Sequence, residues 1–186
     1  MKPLIVLLSA FVLYILSNRI LGKKIDVIAA GNVAMASMLL FTALGHFMFI
    51  DGMSKMLSSF VPGRKVIIIL TGLLEIGAAV GLLFCQTKKV AGLFLIIFFI
   101  LILPANVYSA IHRMNIETGQ PNGPGPDYLW IRIPLQAVFI VWVYWFAIKG
   151  RKAGKRVITA RLLKVSTVLS WFAELVLYNT VRNLAV

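Results

Sequence analysis

Five stretches of this chain stay apolar for long enough to cross a lipid bilayer, and nothing else in it constrains the fold as strongly. They cover residues 3–21, 27–50, 66–84, 90–111 and 128–148. A helical span needs about 20 predominantly apolar residues, and a helix satisfies its own main-chain groups where no water can. The chain is 60% hydrophobic, whereas soluble domains run at about 45–50% apolar. The expectation is an all-α polytopic membrane protein. At 186 residues the chain has no room for a large soluble domain beside its spans.

A sixth stretch, residues 165–181, is shorter and carries Glu174. There Ser166, Ser170, Glu174, Tyr178 and Arg182 recur every four residues, opposite Leu169, Phe172, Leu175 and Val176. Two readings stay open: an amphipathic helix lying in the interface, or a short span with its polar stripe turned inward. The first stretch lacks a small-residue cleavage site before Arg19, Lys23 and Lys24, so it reads as a retained span rather than a signal peptide.

Charge then orients the chain. Lys and Arg outnumber Asp and Glu by 19 to six. In a membrane protein such an excess belongs to topology and anionic lipid, not to nucleic acid. If the five stretches all cross, loops 22–26, 85–89 and 149–164 share one side. They carry Lys23, Lys24, Lys88, Lys89 and the run from Lys149 to Lys164. That side is expected to be cytoplasmic. Loops 51–65 and 112–127 then face outward, the second holding six Gly or Pro among residues 119–126. Three parts follow: an N-terminal span and basic turn (1–26), a four-helix core (27–148), and a basic loop with a C-terminal helix (149–186).

Ionisable residues inside spans are costly and turn towards the bundle interior. Counting at 1.5 Å per residue puts His46, Asn106 and Arg132 roughly 6–8 Å below the outer boundary, and Gln136 and Glu75 roughly 12–14 Å below it. Four spans thus bring polar side chains to the outer half, and the cytoplasmic halves bring almost none. The shared depth predicts a polar pocket opening outward, lined by His46, Glu75, Asn106, Arg132 and Gln136. Gln136 shares a helical face with Arg132. Arg132 stays charged, and Glu75 is the acidic residue expected to pair with it. Pro104 removes one helix hydrogen bond, and Asn106 is placed to satisfy the freed group. His46, Glu75 and Asp51 lack a metal-ligand spacing, and no metal is expected. Gly77 and Gly81 are expected to let helices approach closely. Trp142, Tyr144, Trp145 and Phe146 read as an interfacial belt. Cys85 is the sole cysteine, which excludes an internal disulfide or a dithiol redox pair. No phosphate-binding loop, dinucleotide fingerprint or Ser/His/Asp constellation is present.

The same residues carry a family likeness. Residues 41–148 resemble the DoxX family of small bacterial membrane proteins. The pattern runs through Phe41, Gly45-His46, Pro62, Gly72-Leu-Leu-Glu75-Ile-Gly77, Ala91-Gly92, Pro104-Ala-Asn106 and Leu129-Trp-Ile-Arg132-Ile-Pro134-Leu-Gln136. The resemblance implies a four-helix membrane bundle in a bacterial inner membrane, but no single activity. Some members are tied to thiosulfate–quinone oxidoreduction or to oxidative-stress complexes, and distant ones to membrane assembly. The chain carries no covalent-cofactor motif, so the expected ligand is a quinone or lipid. The expected partners are the bilayer and a membrane protein or oxidoreductase subunit. The preferred expectation is an accessory protein binding a small amphiphile through the outward pocket. The alternative is a quinone-linked oxidoreductase subunit with His46 and Glu75 as proton carriers.

Overall fold

The computed structural model describes residues 2–57, 60–115 and 118–150. Residues 151–186 lie outside it, and with them most of the expected basic loop and the helix expected over 165–181. All regular structure among the described residues is helical: α1 (Lys2–Ile20), α2 (Val27–Met48), α3 (Ile50–Ser54), α4 (Arg64–Leu83), α5 (Lys88–Ile111) and α6 (Leu129–Val143). A 3-10 turn (Pro126–Tyr128) leads into α6 and a π-helical stretch (Tyr144–Lys149) continues it. Five of these segments are long and apolar enough to cross a membrane. This is a multi-pass membrane protein.

Local chemistry sets the ends. Gly22 terminates α1 with φ +61°, a conformation that costs a residue without Cβ little. The Gly22 N–H donates to the Arg19 carbonyl and Lys23 N–H to the Asn18 carbonyl, the paired bonds that close a helix C-terminus. Four residues later the Asp26 carboxylate caps α2, accepting from the Ala29 N–H at 3.0 Å. Two apolar helices are therefore separated by a turn with its own polar accounting. The stretch expected over 27–50 breaks at Phe49, whose backbone leaves helical geometry before α3 begins.

Packing makes α2 the central helix. It lies against α1 and α4, and at its start against the π-helical stretch; α5 lies against α4 and α6. Small residues let the helices close on α2: Ala30, Gly31, Ala34, Ala36 and Ala43 are all buried. The core fills with Leu7, Met35, Met38 and Leu39 from α1 and α2, and Leu82, Leu95, Phe99, Phe139 and Val143 from the rest. Phe98 and Phe99 point into this core, while Phe94 stands at the periphery. α1 contributes one fully buried side chain, Leu7, and turns Ile5, Leu8, Val12, Leu13 and Leu16 outward. In a bilayer, lipid covers such a face.

Two structural expectations change here. Gly81 does admit a neighbour, since a Cβ there would lie 2.9 Å from the Ala91 Cβ, but Gly77 faces open space. The close approach uses one glycine, against Ala91 in the first turn of α5. The aromatic belt also divides. Tyr144 and Trp145 are exposed, and Lys149 sits 4.4 Å over the Trp145 ring. Trp142 instead turns inward and donates its Nε1–H to the Gly31 carbonyl at 3.0 Å. Phe146 occupies the space a side chain at Gly31 would need, and Phe11 of α1 packs edge-on against Trp142 at 5.2 Å.

Candidate functional site

The polar residues expected in one pocket divide between two helix seams at the end of the molecule opposite the 22–26 turn. The first seam joins α2 and α4. Gly72 is what closes it: a Cβ there would lie 3.1 Å from both the His46 Cβ and the Phe47 ring. Glu75 sits three residues along α4, about 4.5 Å deeper at 1.5 Å per residue. The depth difference is bridged by side-chain direction. Helical side chains lean towards their own N-terminus. α2 and α4 run in opposite senses, so His46 leans inward and Glu75 leans outward, and they meet. His46 Nδ1 lies 3.6 Å from Glu75 Oε2.

Both residues are buried, and their hydrogen bonding is incomplete. His46 Nδ1 lies 3.0 Å from the Thr42 carbonyl one turn back on α2. That carbonyl can only accept, so Nδ1 carries a proton in this arrangement. The Thr42 hydroxyl bonds back to the carbonyls of Met38 and Leu39. Glu75 Oε2 has no hydrogen-bond partner, and 3.6 Å is too long for one. Asp51, near His46 in sequence, pairs with Lys65 at 2.8 Å on an exposed surface instead.

The second seam joins α5 and α6. Gln136 is buried, and its Nε2 donates to the main-chain carbonyl of Phe99 on α5. Its Oε1 is buried without a partner. Asn106 lies seven residues after Phe99, so it returns to the same face of α5; it is half-buried. It makes no side-chain hydrogen bond among the described residues, and the carbonyl left free by Pro104 is not one it satisfies. Arg132 stands one turn before Gln136 on α6, half-buried. Its guanidinium carbon lies 5.4 Å from the centre of the Tyr128 ring, a cation–π distance.

The expected Glu75–Arg132 pair is therefore not formed. Both side chains lean towards the same end, but Arg132 starts in the first turns of α6 and leans further out, onto Tyr128. Glu75 meets the one residue leaning the other way, His46. Among the described residues Arg132 has no carboxylate partner, and no group of three metal-ligating side chains exists.

The opposite end of the helices is not apolar, contrary to expectation. Asn32 is buried on α2 and donates its Nδ2–H to the Phe146 carbonyl at 3.3 Å. Lys88 is buried at the start of α5 with Nζ 3.5 Å from the Gly150 carbonyl. A lone amide inside an apolar stretch is visible in sequence, and Asn32 was discoverable that way. Lys88 was not, because a lysine in a basic turn reads as a surface charge. Both serve main-chain carbonyls of the π-helical stretch and its end, where the helical bonding pattern shifts. An apolar groove lies beside this region, lined by Ala137, Val138, Val141, Trp142, Trp145 and Phe146; none of the polar residues lines it.

Residues 35–147 match the family described as a domain of unknown function, DUF8561. The chain belongs to that family. The match begins within α2 and ends in the π-helical stretch, so the DUF8561 unit contains α4, α5, α6 and all five polar positions of the two seams. α1 precedes it, although Leu7 and Phe11 pack into the same core. No curated protein and no solved structure matches the chain.

Proposed function

We propose that α2, α4, α5 and α6 form a DoxX-like four-helix bundle in a bacterial inner membrane, with α1 as an additional span. In this reading the connection over 112–127 faces outward and the basic turns face the cytoplasm. The protein binds a small amphiphile, a quinone or a lipid, at the outer end of the α5–α6 seam, and acts as an accessory subunit or assembly factor.

One observation carries the reading. Arg132 presents a half-buried guanidinium backed by the Tyr128 ring, without a carboxylate among the described residues. Asn106 and the Gln136 oxygen, on the same seam, have hydrogen-bonding capacity to spare. A polar head carrying hydrogen-bond acceptors would use the guanidinium donors, and a tail would lie along the helices. A charge-assisted hydrogen bond is worth about 1.5–3 kcal/mol. Replacing Arg132 by Ala should therefore reduce the co-purifying amphiphile by about tenfold or more. The measurement is mass spectrometry of lipid extracts from the full-length chain purified in its native lipid. Unchanged species in unchanged amounts would remove the proposal.

A quinone-linked oxidoreductase subunit is the second reading. The contact between His46 and Glu75 favours it, since such a pair can pass protons to a quinone being reduced. Quinone turnover by the purified chain with a donor such as thiosulfate tests it, and turnover is expected to fall in Glu75→Gln.

A further inference from the structure

The α2–α4 seam holds a carboxyl and an imidazole whose hydrogen bonds do not close. His46 Nδ1 has one hydrogen and two acceptors within reach, the Thr42 carbonyl at 3.0 Å and Glu75 Oε2 at 3.6 Å. It serves the first and leaves the second without a partner. The Thr42 carbonyl does not need it, because a carbonyl in mid-helix already accepts from the main chain four residues on. The seam has little space for a larger guest: Gly72 lies against the His46 Cβ and the Phe47 ring so closely that even a methyl group there would be crowded.

We propose that His46 and Glu75 together form a proton-binding site. In the described arrangement the carboxyl holds the proton and the imidazole is neutral, with Nδ1–H on the Thr42 carbonyl. In the second arrangement the Glu75 proton has left for water, and the Nδ1–H of the still-neutral imidazole turns from Thr42 to the carboxylate, closing the 3.6 Å gap into a charge-assisted hydrogen bond. One O–H bond breaks, the pair loses one proton and one unit of positive charge to solvent, and rising pH favours this second form. Closely interacting groups such as these titrate as a unit.

Among the described residues the other charges on the neighbouring elements stand at helix ends: on α1, Lys2 opens the helix and Arg19 lies in its last turn, Asp26 caps the far end of α2, and Lys149 sits over Trp145. On α4 itself, Lys65 is engaged by Asp51 of α3, and Arg64 opens the helix at its outer end. On α5, Lys88 and Lys89 start the helix at the opposite end, where Lys88 reaches the Gly150 carbonyl. Lys55 follows α3, His112 and Arg113 follow the end of α5, and Arg132 lies over Tyr128. Because Gly72 removes slack, movement of the imidazole is taken up by the packing of α2 on α4. The site requires neither reading of the previous section. It uses different helices from Arg132, so failure of amphiphile binding leaves it standing, and the reverse also holds.

The test uses the full-length chain in lipid nanodiscs with no added ligand. Infrared difference spectra follow the Glu75 carboxyl, and nitrogen NMR of histidine-labelled protein follows the imidazole. The chain has two histidines, so His112→Gln assigns the His46 signals. As pH changes, a carboxylic acid band and the His46 signals should change together with one midpoint. The band should be lost in Glu75→Gln, and the His46 transition should leave that midpoint. Separate midpoints in the wild-type chain, or no change in either group, would overturn the proposal. The wild-type comparison decides the matter even if the variant does not fold.

Discussion

The α2–α4 and α5–α6 seams lie at the same end of the helices and hold the same kinds of polar residue, yet they resolve them differently. In the first, a glycine brings two antiparallel helices so close that an inward-leaning His46 meets an outward-leaning Glu75. In the second, Gln136 spends its donor on a main-chain carbonyl, and Arg132 leans away from the interior onto Tyr128. The first seam is tight and shares polar groups internally. The second leaves the buried Gln136 oxygen without a partner and the Arg132 guanidinium half-exposed. Seam distance and side-chain direction, rather than residue type, decide whether a polar group becomes an internal partner or a surface for something else.

The largest effect should come from forcing the tight seam apart. Gly72→Leu adds volume where a Cβ alone would lie 3.1 Å from His46 and Phe47. Overpacking of this kind costs about 1–3 kcal/mol, and thermal unfolding in detergent should show the loss. If stability is unchanged, α2 and α4 are not in the close contact described. A smaller effect is expected from Gln136→Leu, which removes one bond to α5. Hydrogen bonds between membrane helices average about 0.6 kcal/mol and reach about 1.7. A loss well above that range would mean that the α5–α6 seam depends on Gln136 as the other seam depends on Gly72. The smallest effect belongs to Gly77→Ala. Among the described residues no neighbouring segment comes within 4 Å of the added methyl, and Ala favours a helix over Gly by up to about 1 kcal/mol. Stability should hold or rise slightly; a clear fall would restore the paired-glycine contact that the fold does not show.

Much of the architecture was legible in the chain because spans are set by local composition. The apolar stretches over 66–84 and 90–111 became α4 (Arg64–Leu83) and α5 (Lys88–Ile111) with small changes at their ends. The break at Phe49 was less visible, since the residues around it are as apolar as those inside α2. Depth counting brought His46 and Glu75 to the same half of the helices, but it measured only distance along an axis. It carried no information on which way a side chain leans, so it matched Glu75 to Arg132 rather than to His46. Asn32 is visible in sequence as a lone amide in an apolar stretch, but its partner is not: that is a main-chain carbonyl 114 residues away, in a stretch whose π-helical form has no marker in the residue types.

From its sequence alone, this chain is a helical, multi-pass membrane protein with costly polar residues inside its apolar segments. The energy of placing apolar and polar groups in a bilayer acts residue by residue, so it can be read without knowing the fold. Tertiary structure alone decided the partners: His46 with Glu75, Gln136 with Phe99, Arg132 with Tyr128, Asn32 with Phe146. Each depends on which helices lie side by side, in which sense they run, and how closely a glycine lets them approach. Those are properties of pairs of segments far apart in the chain.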